Sequence, residues 1–126
     1  MHQPLRIMII DDEPIVGKRL KPALEKDSYQ VEVFTTGADA LKRFEEQSFD
    51  IVVTDVRMDE IDGIDVMTRV MDRSPGTKVI IITGYATIEM AREALAKGAF
   101  DFIAKPFKPN DLRAVIEKAV AALKRN

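Results

Sequence analysis

Four stretches of the chain run apolar residues into a side chain able to do chemistry: Ile51-Val52-Val53-Thr54 into Asp55, Leu5–Ile10 into Asp11-Asp12-Glu13-Pro14, Val79–Ile82 into Thr83-Gly84-Tyr85, and Phe100–Ala104 into Lys105-Pro106. Singly, each has a bland reading. Asp55 can be a turn-initiating aspartate, Asp11-Asp12 an acidic helix entry, Thr83 a β-branched strand end and Lys105 a surface lysine. Together they offer three carboxylates, a hydroxyl and a mobile cation. Crowded carboxylates repel and stay ionised at neutral pH only when a cation neutralises them. All-oxygen ligands favour a hard divalent ion, and Mg²⁺ prefers one or two carboxylates plus waters and a phosphate oxygen. Beside such an ion a carboxylate can attack phosphorus, a step that needs little beyond positioning and charge neutralisation. Asp55 is the expected nucleophile, Lys105 a point charge for a phosphoryl oxygen, and Thr83 a hydroxyl donor.

That chemistry requires the four ends to meet. Ile51–Val53 is β-branched and unbroken by polar residues, the pattern of a strand buried on both faces of a parallel sheet. Leu5–Ile10, Val31–Phe34, Val79–Ile82 and Phe100–Ala104 read as further strands. A helix is expected from Pro14 toward Lys26, with Val16, Leu20, Ala23 and Leu24 on one face, and Pro22 is expected to kink it or end it early. Others follow through Ala38, Leu41 and Phe44; from Ile64 to Met71, stopped by Ser74-Pro75-Gly76; with Ile88, Ala91, Ala94 and Leu95 inward before a Gly98 cap; and along Leu112, Val115, Ile116, Ala119, Val120 and Leu123. Strict strand–helix alternation implies right-handed crossovers and a doubly wound parallel α/β sheet with helices on both faces. All carboxyl ends of a parallel sheet lie on one edge, where open α/β sheets bind ligands.

With 126 residues the chain is sized for a single domain, 1–126. Its 46% apolar and 32% charged residues exclude a disordered tail, and no run approaches the length of a membrane span. A net charge of −2 gives no broad field for nucleic acid or an anionic membrane. The absence of cysteine and of a secretory pattern makes the cytoplasm the expected location.

Asp11-Asp12, Asp55-x-x-Met58 with Gly63, Thr83-Gly84 and Lys105-Pro106-Phe107 each follow a strand, and in this combination the chain resembles the receiver domain of two-component response regulators from first strand to last helix. The resemblance implies the flavodoxin-like strand order 2-1-3-4-5. It also implies a signalling domain rather than an enzyme, one that phosphorylates itself from a phosphodonor and dephosphorylates slowly. Asp55 would take a phosphoryl group from a phosphohistidine on a sensor histidine kinase. Asp12, Asp55 and the backbone carbonyl of Arg57 would ligate Mg²⁺, with Asp11 acting through water. Thr83 would swing toward the phosphoryl group with Phe102, at the family's aromatic switch position, moving inward behind it. The Lys105-Pro106 bond would often be cis. The surface of helix 4, strand 5 and helix 5 would meet an output partner or a second copy, with Arg92, Lys97, Lys108 and Arg113 as candidate contacts. Phrases such as Thr83-Gly84-Tyr85-Ala86-Thr87 resemble receivers of nitrogen-regulation-type transcriptional activators, so either a stand-alone receiver or the first domain of a longer regulator is expected.

Two departures from the family pattern stand out. Asp59 replaces the usual proline after the methionine, and bulky Arg57 and Tyr85 sit two residues past Asp55 and Thr83, where they are expected to shield the phosphoryl group from water. Other readings fit less well. A flavin phosphate would be repelled by Asp11-Asp12-Glu13, the aspartate spacing is not that of haloacid-dehalogenase-type phosphatases, and an EF-hand register on Gly63 would put Met58 first and Arg69 twelfth. His2 is the sole histidine, at a terminus expected to fray, so the phosphohistidine is expected on another protein. A receiver-shaped module that signals without phosphorylation is the remaining alternative.

Overall fold

Short aliphatic runs separated by amphipathic stretches fold as expected. The computed structural model of the chain describes residues 4–58 and 60–124, Tyr85 through its backbone alone; His2, Asp59 and the Tyr85 side chain lie outside the described residues. The strands are β1 (Arg6–Ile10), β2 (Gln30–Phe34), β3 (Ile51–Asp55), β4 (Lys78–Thr83) and β5 (Asp101–Ala104). Between and after them run α1 (Pro14–Glu25), α2 (Gly37–Glu46), α3 (Gly63–Arg73), α4 (Ile88–Ala96) and α5 (Pro109–Lys124). All pairings are parallel, in the order β2-β1-β3-β4-β5, the doubly wound flavodoxin-like arrangement expected. The chain reverses its direction of travel across the sheet between β1 and β3, so the crevice of this fold opens at their carboxyl ends.

Period-two alternation splits the strands' side chains between two cores. Ile7, Ile9, Ile51, Val53, Ile80 and Ile82 pack with Leu20 and Leu24 of α1 and Leu112 and Ile116 of α5. Met8, Ile10, Val52 and Ile81 pack on the opposite face with Phe44 of α2, Val66, Met67 and Val70 of α3, and Ala91 and Ala94 of α4. Burial on both faces is why the central strands show no polar alternation.

The helix ends are set by local chemistry. Thr36 Oγ1 accepts from the Asp39 amide at 3.1 Å and Asp62 Oδ1 from the Asp65 amide at 2.9 Å, each satisfying a first-turn donor. After α4 the Gly98 and Ala99 amides donate to the carbonyls of Leu95 and Ala94, a Schellman closure that requires the left-handed φ of +116° at Gly98.

Two expectations need correcting. Of the two outcomes expected at Pro22, the early end does not occur, since α1 continues through Pro22 to Glu25. Pro22 and Lys18, whose carbonyl loses its amide partner, both lie on the exposed face, where water can replace the missing bond. Leu95 does not point inward but is 37% exposed. Helix α4 rests on the sheet through the small side chains of Ala91 and Ala94, and this narrow contact stripe leaves Leu95, one residue further round, outside it.

Arg113 of α5 grips Asp27, just past α1, with two hydrogen bonds of 2.7 Å. The guanidinium holds the Asp27 carboxyl below its ordinary range, so its contribution to stability is full above the unfolded value of about 3.9 and fades as pH falls through the lower folded value. Asp27→Asn is therefore expected to lower the urea midpoint at pH 7, with the gap to the parent narrowing below about pH 4. A gap independent of pH would show that the fork adds nothing through charge.

Candidate functional site

The carboxyl edge of the sheet gathers the acids from two strands and the lysine from a third. Asp11 and Asp12 follow β1, Asp55 is the last residue of β3, and Lys105 follows β5. One carboxylate oxygen from each of Asp11, Asp12 and Asp55 lies within 4.8 Å of the other two. Lys105 Nζ sits between them, 3.0 Å from Asp11 Oδ2, 3.3 Å from Asp55 Oδ2 and 2.7 Å from Glu13 Oε1. Asp11 and Asp55 continue the side-chain parity of Ile7–Ile9 and Ile51–Val53, and Lys105 that of Ile103, so all three belong to the α1/α5 face.

The strand ends are locked by the backbone. The Asp11 amide donates to the Phe34 carbonyl, the Val56 amide to Ile82 and the Lys105 amide to Thr83. Asp55 Oδ1 accepts from the Arg57 amide at 3.2 Å and Asp11 Oδ1 from the Glu13 amide at 2.9 Å. Gly63, whose amide donates to Val56, lies flat against this turn: a Cβ there would come within 2.3 Å of the Asp55 carbonyl oxygen. Any larger residue would push the loop off the end of β3. The Lys105-Pro106 peptide is cis.

Burial pushes the Asp11 and Asp55 carboxyls above the ordinary aspartate range. The Glu13 amide and Lys105 pull Asp11 partly back; the Arg57 amide and Lys105 do so for Asp55, against the push of the Asp12 charge. Burial alone would lower Lys105, but its contacts with Glu13, Asp11 and Asp55 outweigh this and hold the ammonium charged, above the lysine range. Lys105 thus already supplies one of the cations the acids need.

One atom is left over. Asp11 Oδ2 is buried in an ion pair with Lys105 Nζ that lacks hydrogen-bond alignment, and it has no hydrogen-bond partner among the described residues. The ammonium offsets part of the cost of burying this oxygen, and a second cation or an ordered water would meet its remaining lone pair. With exposed Asp12 and half-buried Asp55 it completes an all-oxygen donor set that suits a hard divalent ion. The residues present fit such a metal.

The other expected residues are placed as follows. Arg57 is exposed at the rim. Phe102 is partly buried against the core on the α4 side. Thr83 is fully buried at the end of β4, one residue beyond the Ile82 that pairs with Asp55, but its hydroxyl bonds Thr87 Oγ1 at 2.7 Å and none of the acids. Arg113 is committed to Asp27, whereas among the described residues Arg92 pairs with Glu89 of α4 and Lys97, just past that helix, with Glu93. Sequence reasoning missed two participants. Glu13 is a partner of Lys105 that the sequence signals only through its place directly after Asp11-Asp12, and Thr87, the partner of Thr83, carries no signal beyond a hydroxyl four residues on. Beside the site an apolar groove of about 430 Å³ runs between Ile15, Val16 and Leu20 of α1 and Pro106, Phe107 and Pro109.

Known proteins share this arrangement. The family model described as response regulator receiver domain matches residues 7–117. The transcriptional regulatory protein ZraR of Escherichia coli (strain K12) is 38% identical over 120 residues, covering 95% of this chain but 27% of that protein. A response regulator receiver domain protein (CheY-like) from Methanospirillum hungatei JF-1 superposes with a TM-score of 0.91 at 29% identity, covering 98% of both chains. The receiver domain of NtrX from Brucella abortus does so at 0.85 and 27%, covering 91% of this chain and 98% of its own. With three strand ends converging on the acid cluster as the motifs require, the chain belongs to the response regulator receiver domain family of two-component systems.

Proposed function

We propose that residues 1–126 form one cytoplasmic receiver unit that accepts a phosphoryl group on Asp55 from a phosphohistidine of a sensor histidine kinase, in a Mg²⁺-dependent reaction. The observation that carries this reading is the position of Lys105 Nζ, within 3.3 Å of both Asp11 and Asp55 at the mouth of the acid cluster. In transfer, an Asp55 carboxylate oxygen forms the new O–P bond as the P–N bond to the donor imidazole breaks; the electron pair stays on the imidazole nitrogen, which takes up a proton. Lys105 can exchange its Asp55 contact for a phosphoryl oxygen while keeping Asp11, and the Arg57 amide orients the attacking carboxylate. Asp12, Asp55 and the Arg57 carbonyl would hold Mg²⁺, with Asp11 acting through water. The ion supplies charge neutralisation for the acids and the phosphoryl oxygens. Thr83 and Phe102 are the proposed switch residues, and release of phosphate is a slow hydrolysis rather than turnover.

Acetyl phosphate with Mg²⁺ is expected to add one phosphoryl mass to the parent chain and none to Asp55→Asn, read by intact mass spectrometry. Label appearing in Asp55→Asn, or without the metal, would sink this assignment. Exposed Arg57, together with Tyr85, is proposed to slow water's approach. The Arg57→Asn, Tyr85→Ala variant should lose its phosphoryl group faster than the parent, and an equal or slower loss, followed by phosphate release, would refute that role.

The apolar groove ends on Glu13 and Lys105, so a protein seated in it reaches Asp55. Its rim carries Ile15, 58% exposed, a large apolar residue left in water beside the site. We place the kinase there. Ile15→Glu should slow transfer from a phosphorylated histidine-kinase core about tenfold or more while leaving acetyl phosphate labelling unchanged, the signature of lost docking rather than lost chemistry. Equal slowing with both donors would refute the placement. Output is proposed to be transcriptional, by analogy with relatives of which this chain spans about a quarter, through an attached domain, partner or second copy meeting α4, β5 and α5.

A further inference from the structure

Thr83 lies where a donor for a phosphoryl group on Asp55 is needed, yet its side chain is turned away. Residue 83 continues the parity of Val79 and Ile81 and faces the α4 layer, whereas Asp55 shares the α1/α5 face. Its hydroxyl lies in a small closed ring. Thr83 Oγ1 and Thr87 Oγ1 are 2.7 Å apart, each lies 3.2 Å from the Gly84 carbonyl, and the Gly84 amide donates to Thr87 Oγ1 at 2.9 Å. Each hydroxyl has one proton. Whichever threonine donates to the other, the second can donate to the Gly84 carbonyl, so both are satisfied without reaching the acids.

Thr87 immediately precedes α4, where a threonine would ordinarily cap the helix by accepting from one of its amides. Its side chain makes no such bond. The hydroxyl points back toward Thr83 and Gly84, and both threonines are buried, at 0% and 9% exposure, so water does not compete for them. Because the ring holds the Thr83 hydroxyl on the α4 side of the sheet, donating to a group on Asp55 requires it to leave the ring.

We propose that Thr87 is a positioning residue that latches Thr83 in the resting state, so that its hydroxyl and the phosphoryl group on Asp55 compete for the same side chain. The proposal rests on the reading above, in which phosphorylated Asp55 recruits Thr83. A ligand shifts a two-state equilibrium only by its differential affinity for the two states, so the strength of the latch sets how much of the phosphoryl group's binding is used in switching. A tighter ring gives a quieter resting state and a weaker response; a looser ring, the reverse.

The test uses beryllofluoride with Mg²⁺, a phosphoryl mimic, titrated calorimetrically into the full chain. Thr87→Val, nearly isosteric but without the hydroxyl, is expected to bind it about fivefold more tightly, the ratio for one net hydrogen bond of about 1 kcal/mol. Thr87→Ser should restore parental affinity, and in a Thr83→Ala background Thr87→Val should have no effect. In metal-free protein the Gly84 amide should lose protection from hydrogen exchange in Thr87→Val and keep it in Thr87→Ser, both variants unfolding cooperatively. Unchanged or weaker binding by Thr87→Val, a gain that persists without Thr83, or Gly84 protection indifferent to residue 87 would each overturn the latch. If the parent takes up beryllofluoride no better than Asp55→Asn, the phosphoacceptor reading falls first and the latch with it.

Discussion

A single ammonium group shared among carboxylates holds the working end of this molecule together. Lys105 reaches Asp11, Glu13 and Asp55 from the loop after β5, linking the ends of β1, β3 and β5. Those strands are not all neighbours, since β4 separates β3 from β5. Only a parallel sheet gives such strands a common carboxyl edge, and burial of β1 and β3 on both faces, with Ile103 of β5 buried beside them, fixes their ends for contacts near 3 Å. The strands' aliphatic runs are thus as much part of the site as its charges.

Holding these charges has a cost. Two aspartates pushed upward by burial, one with an oxygen lacking a hydrogen bond, oppose folding rather than favour it. The twin cores, with twelve large side chains almost wholly shielded from solvent, offset that penalty. Gly63 shows how little slack remains, because the turn after Asp55 passes too close to α3 for any side chain beyond hydrogen. The acid cluster thus sits where stability is given up.

Much of this was legible in the amino-acid order. Aliphatic runs ending on Asp11, Asp55, Thr83 and Lys105 announced both the sheet and the edge on which chemistry would collect, because in a parallel sheet sequence position fixes which end a residue occupies. The misreadings concern facing rather than identity. Leu95 falls within the helical period of Ala91 and Ala94, but how narrow a stripe a helix buries depends on the size of the side chains beneath it, a tertiary fact. Pro22 breaks a rule of propensity at a point where solvent relaxes that rule. The engagement of Glu13 by Lys105, 92 residues away, and the turn of Thr87 toward Thr83 depend on rotamers that no periodicity encodes.

The alternation of side chains along the strands also divides labour. Asp11, Asp55 and Lys105 stand with α1 and α5, next to the apolar groove, while Thr83 and Phe102 stand with α4 across the sheet. A five-stranded partition therefore stands between the acid cluster and the two side chains of the opposite layer, and its carboxyl rim is the shortest way round it. A substitution in one core is felt first by the helices packed in that core, because the sheet lies between it and the other. Sequence drift can thus proceed in one helix layer while the other keeps its packing.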